Sequence, residues 1–93
     1  MDFLSKLDGE IMIELGEHLK QLRKNHFLSQ QELALRIGVS RKLIVDIEAG
    51  RGTSLLVFVK LLKTFKKENH LLELLEEPAS NKVSPKEIFL QSQ

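Results

Sequence analysis

The chain has no cysteine in its 93 residues, so neither a disulfide framework nor a thiolate metal site can be built from it. That composition suits a cytoplasmic protein. Tryptophan and tyrosine are also missing, and five phenylalanines are the whole aromatic content. With only two prolines and five glycines there are few breakers, and the predominance of aliphatic over aromatic residues favours a helical bundle over a sheet. A long apolar run is missing near the start: Met1-Asp2-Phe3-Leu4-Ser5-Lys6-Leu7-Asp8-Gly9-Glu10 is broken by acids, which argues against a signal peptide or a membrane span. The length allows one small domain with tails.

Net charge is nearly absent too, at +1, but it is unevenly spread. From His18 to Lys67, eleven Lys or Arg face three acids, a net of +8; the first seventeen residues carry −4 and residues 68–93 carry −3. A basic middle between acidic ends is what a phosphate-binding core with non-binding tails would show, although solvated lysine faces would give the same count.

Hydrophobic spacing predicts five helices. The first runs from about Glu10 to Asn25, with Ile11, Leu15, His18, Leu19 and Leu22 on one face. Ser29, with Glu32 three residues on, forms a capping box for a second helix over Gln30 to Ile37, whose Leu33, Ala34 and Ile37 face inward. Gly38 turns the chain in the left-handed region and Val39 fills the angle that follows. Ser40 caps a third helix over Arg41 to about Ala49, burying Ile44 and Ile47, and Gly50 stops it.

Thr53 or Ser54 caps a fourth helix to about Phe65, and a short fifth spans about Asn69 to Glu76. The fourth helix has almost no polar side. One stripe, Leu55, Phe58, Val59 and Leu62, is assigned to the core; Leu56, Val57 and Leu61 then need a cover, either the fifth helix or a second subunit. Beyond Glu77 the chain is turn-rich until Ser84-Pro85-Lys86-Glu87, a second capping signature, opens a short apolar turn through Ile88, Phe89 and Leu90. The expected division is therefore an N-terminal extension (1–9), a domain (10–77) and a C-terminal tail (78–93) that docks on a partner or a dimer mate.

Helix, turn, helix over residues 28–50 presents its second helix as a rod that fits the DNA major groove. With Ile44 and Ile47 buried, Arg41, Lys42, Val45 and Asp46 face outward and are the base-reading candidates. An arginine can bind guanine O6 and N7 with two hydrogen bonds, worth ~1–3 kcal/mol of discrimination. Arg41 is the first choice, with a phosphate clamp as the alternative; Lys42 either reads a base or holds a phosphate, Val45 suits a thymine methyl, and Asp46 either accepts from cytosine or repels phosphate.

The chain resembles the phage-repressor-like helix-turn-helix family, the xenobiotic-response-element type of bacterial regulators, over about Leu15 to Phe65. The residues that carry the likeness are Leu22-Arg23, Leu28-Ser29-Gln30, Glu32-Leu33-Ala34, Gly38-Val39-Ser40-Arg41, Ile44, Ile47-Glu48, Gly50 and Ser54-Leu55. The resemblance implies an all-α, five-helix lambda-repressor-like domain and a homodimer on a double-stranded DNA operator, regulating transcription, with repression of its own operon as the expected outcome. It implies that Gln30 contacts phosphate and braces the first residue of the recognition helix, and that Arg23 and Glu48 form a structural salt bridge. Gln31, Ser40, Arg51 and Thr53 are further phosphate candidates. Leu71 to Glu77, then Pro78 and Ser84-Pro85, look like the end of HipB-type antitoxins, which implies a HipA-like kinase toxin as partner; a stand-alone or phage repressor without a toxin partner, or an adaptor whose main role is protein binding, are the other readings.

His18, His26 and His70 show no metal-ligand spacing, and no phosphate-cradling glycine loop, nucleophile elbow or pair of catalytic carboxylates is present. No metal, cofactor or enzymatic activity is expected.

Overall fold

The computed structural model describes residues 7–78, and these form α1 (Asp8–Asn25), α2 (Gln30–Ile37), α3 (Arg41–Glu48), α4 (Leu55–Thr64) and α5 (Glu68–Leu75). With no strand among the described residues, this is the all-α lambda-repressor-like arrangement. The expected tail turn at Ser84 to Leu90 lies outside the described residues.

Serine hydroxyls start three of the helices. Ser29 Oγ accepts from the Glu32 N–H at 3.0 Å while Glu32 Oε1 accepts from the Ser29 N–H at 2.9 Å, a reciprocal box. Ser40 Oγ accepts from the Leu43 N–H at 3.1 Å, and Ser54 Oγ from the Val57 N–H at 3.2 Å, which decides for Ser54 over Thr53. Each such cap contributes about 0.5–2 kcal/mol by satisfying an otherwise orphaned donor. α1 lacks a side-chain cap and begins at Asp8, two residues before the expected start; Asp8 and Glu10 in its first turn favour the positive end of the helix dipole.

Four helix ends share one device, a residue in the left-handed region followed by an N–H that donates back to a carbonyl five residues earlier. Glycine fills the position twice, at Gly38 (φ +75°) and Gly50 (φ +85°), and larger residues fill it at Phe27 (φ +57°) and Lys66 (φ +56°). The returning bonds are Leu28 N–H to Arg23 O (3.1 Å), Val39 to Ala34 (2.9 Å), Arg51 to Asp46 (3.0 Å) and Lys67 to Leu62 (2.7 Å).

The core joins Leu19 of α1, Leu33, Ala34 and Ile37 of α2, and Ile44 and Ile47 of α3; Leu61 and Phe65 close it from the α4 side. Two expected faces need correction. On α1 the buried residues are Gly16, Leu19 and Arg23, whereas Leu15 and His18 are exposed, because α1 lies on α3 through Gly16 and turns Arg23 inward. On α4 the inward stripe is Val57, Phe58 and Leu61, continued by Phe65, so Leu61 belongs to the core and Leu55 is exposed. Both stripes satisfy helical spacing in a segment with almost no polar residues, so periodicity could not choose between them; Phe65 decides by extending one. α5 packs on α4 and buries no residue of its own.

Candidate nucleic-acid interface

α2 and α3 pack on each other across the Gly38 turn, and α3 divides into two faces. Ile44 and Ile47 are buried, Arg41 and Lys42 are exposed in the first turn, and Val45 and Asp46 are half-buried on the outer side. A polar tie joins α1 to the end of α3. Arg23 binds Glu48 with two hydrogen bonds, Nε to Oε2 at 2.6 Å and Nη2 to Oε1 at 3.1 Å, and its Nη1 donates to the Leu28 carbonyl at 2.8 Å. The two side chains are only 9% and 5% exposed.

The pair continues outward to the surface. Gln30 Nε2 donates to Glu48 Oε1 at 3.1 Å, and Arg41 Nη2 donates to Gln30 Oε1 at 3.3 Å. The Gln30 amide can face only one way, since reversing it would set its NH2 against the Arg41 guanidinium and its oxygen against the Glu48 carboxylate. A buried ion pair in the core is thus connected through one amide to the exposed arginine at the start of α3.

Gly16 permits this approach. A Cβ at this position would lie 2.7 Å from the Ile47 and Glu48 carbonyl oxygens, so α1 meets α3 backbone to side-chain-free backbone. The signal was present as a lone glycine inside the helical pattern Leu15-Gly16-Glu17; such a residue costs about 1 kcal/mol relative to alanine and calls for a packing reason.

A second charged group lies beside the first. Asp46 Oδ2 accepts from Lys42 Nζ at 3.0 Å and its Oδ1 from Arg51 Nη1 at 2.6 Å. These bonds, first that from Lys42 and then that from Arg51, hold the Asp46 carboxyl below its usual range. Ser40 is exposed with its Oγ already capping α3, and Gln31 is exposed at the start of α2. Thr53 lines an apolar groove of about 310 Å³ between α1 and the first turn of α4, with Met12, Leu15 and Phe58. The histidines are occupied separately: His18 Nδ1 lies 2.8 Å from the Glu14 carbonyl, the His26 ring is tilted against Phe65, and His70 faces Glu73. Among the described residues no group of three His, Cys, Asp or Glu is arranged to hold a metal ion, and no helix is long and apolar enough to cross a membrane.

The geometry defines a helix-turn-helix module with an exposed basic first turn on its second helix. A family model described as helix-turn-helix matches residues 19–68, just over half of the chain, and the chain belongs to that family. Over 50 residues it is 38% identical to a protein of Methanospirillum hungatei JF-1 whose name is that of an HTH-type transcriptional regulatory protein. The aligned part is 54% of this chain and 16% of that relative, so the likeness covers the helix-turn-helix segment and leaves most of the relative unmatched.

Proposed function

We propose that the protein is a DNA-binding transcriptional regulator that reads a double-stranded operator through α3 and represses its own operon. The observation that carries this is the path from the buried Arg23–Glu48 pair through Gln30 to Arg41: it fixes a cationic, hydrogen-bonding side chain at the end of a helix sized for the major groove. Arg41 reads a base edge, Lys42 and Val45 flank it, and Gln30, Gln31, Ser40, Arg51 and Thr53 face phosphates.

Two-fold operators are matched by two-fold proteins, so the acting species is a homodimer with recognition helices about one DNA turn apart, ~34 Å. Exposed apolar residues favour such pairing. Leu55 and Leu56 lie uncovered on α4, and Leu72, Leu74 and Leu75 on α5. The same α5 leucines support the second reading, an antitoxin of HipB type held by a HipA-like kinase.

Fluorescence anisotropy with the DNA upstream of the protein's own gene, against a scrambled duplex, tests the proposal. Tight, salt-sensitive binding with a preference that Arg41→Ala removes is the expected result. Equal affinity of the wild type for both duplexes would refute autoregulation, and absence of binding to either would refute DNA recognition.

A further inference from the structure

α3 carries two carboxylates in its last turn, Asp46 and Glu48, where the helix dipole disfavours negative charge. Each is matched by an arginine from outside the helix. Glu48 turns inward to Arg23, whereas Asp46 turns outward to Arg51 and also takes Lys42 from one turn earlier on α3. The backbone brings Arg51 there. Gly50 at φ +85° closes the end of α3, its N–H donating to the Ile47 carbonyl at 3.0 Å, and the Arg51 N–H then donates to the carbonyl of Asp46 itself at 3.0 Å. Main chain and side chain of Arg51 are therefore tied to the same residue.

Both Asp46 oxygens already hold a cation, so a cytosine amino group would have to share an oxygen with Lys42 or Arg51 and reach a carboxylate that lies behind both. The two cations are the more accessible partners, 84% and 67% exposed, while the carboxylate between them is 21% exposed. Resting on the DNA-binding reading above, we propose that Asp46 reads no base and is instead a specificity-determining positioning residue: it clamps Lys42 and Arg51, and so suppresses binding to duplex of arbitrary sequence. Non-specific affinity is electrostatic and is satisfied by a cation in any pose. Removing the carboxylate adds one positive charge to the face and frees two side chains to follow phosphates wherever they lie. On the operator the same change has opposing parts, since the added attraction is offset by lost orientation of the two cations for a single register.

One additional phosphate contact steepens the dependence of log K on log salt by about 0.9, which corresponds to roughly eightfold tighter binding at 0.1 M salt. The test begins by selecting a preferred duplex from a random pool with the full wild-type chain. Affinities for that duplex, its single-base variants and a scrambled duplex are then measured across a salt series for wild type, Asp46→Asn, Asp46→Ala and Asp46→Asn with Arg51→Ala. The clamp requires the two single variants to bind scrambled duplex roughly eightfold tighter at 0.1 M salt, with the steeper slope. It also requires a smaller ratio between selected and scrambled duplex, an unchanged pattern of base preference, and reversal of the scrambled-duplex gain by Arg51→Ala. Loss of preference at one base pair with unchanged scrambled binding would make Asp46 a base reader and overturn the clamp, as would an unchanged salt slope. A wild type that binds scrambled duplex but enriches no sequence overturns it as well, and one that binds no duplex removes the DNA-binding reading and the clamp with it.

Discussion

Removing one partner of the Arg23–Glu48 pair should damage the protein more than removing both. In Glu48→Leu the Arg23 guanidinium stays in the core with only the Leu28 carbonyl as acceptor; in Arg23→Met the Glu48 carboxylate keeps one hydrogen bond, from Gln30. Stranding a buried charge in this way costs about 3–5 kcal/mol, whereas replacing a buried pair by apolar side chains is often close to neutral. For a domain of this size 1 kcal/mol shifts the melting temperature by about 4–8 °C, so each single variant should melt at least about 12 °C lower. The double variant leaves the Leu28 carbonyl without its guanidinium and the Gln30 amide without its carboxylate, so it should not reach wild-type stability. It should still melt above both singles, which with single losses of about 3–5 kcal/mol means a non-additivity of more than about 3 kcal/mol. Urea and thermal unfolding followed by circular dichroism at 222 nm measure all four corners of the cycle. Losses that simply add would refute the reasoning, since the two charges would then not be each other's main compensation.

Phe27 is 92% exposed at φ +57°, so Phe27→Gly loses almost no packing and relieves a left-handed strain; a gain of about 1 kcal/mol is expected in urea unfolding, and a loss would mean the ring is held by a contact that its exposure does not show. Glu32 is held below its ordinary value of 4.5, first by the Ser29 N–H and then by the Ser29 hydroxyl, with Asp46 likewise held below 3.8 by Lys42 and Arg51. A lowered carboxyl contributes stability that is present above its unfolded value and lost as pH falls through the lowered folded value. The stability gap between wild type and Glu32→Gln should therefore narrow on acidification below about 4.5, and a gap that stays constant from neutral pH to pH 3 would remove the capping box from the acid response.

What could be read from the residues depended on whether the signal was local. The three serine-capped helices were legible because each cap is a bond within three residues: Gln30 to Ile37 has the expected bounds, and Arg41 and Leu55 start where Ser40 and Ser54 place them. The inward faces of α2 and α3 were legible for a related reason, since polar residues mark the other side. α4 offers no such contrast, and its face turns on Phe65, which lies at the expected end of the helix. Contacts distant in sequence were beyond reach of spacing. Arg23 and Glu48 are 25 residues apart, and the Gln30 bridge to Arg41 joins two helices; both are expected only from the resemblance.

The helix ends show the same division and link it to the candidate interface. Gly38 is legible as a left-handed turn and Gly50 as a helix stop, and the left-handed Gly50 is what brings Arg51 back over Asp46. Phe27 and Lys66 make the same turn without glycine, so no residue type marks them in advance. For Phe27 the cost of the conformation, roughly 1–2 kcal/mol for a residue with a side chain, is offset by a hydrogen bond that adjoins the buried ion pair. At Phe27 that bond is the Leu28 N–H returning to the Arg23 carbonyl, while the Arg23 guanidinium takes the Leu28 carbonyl. The strained turn and the buried ion pair thus share Arg23, which Leu28 binds through both its N–H and its carbonyl. The entry of the chain into α2, and with it the position of Gln30 beneath Arg41, is set by the same group of bonds that fixes α3.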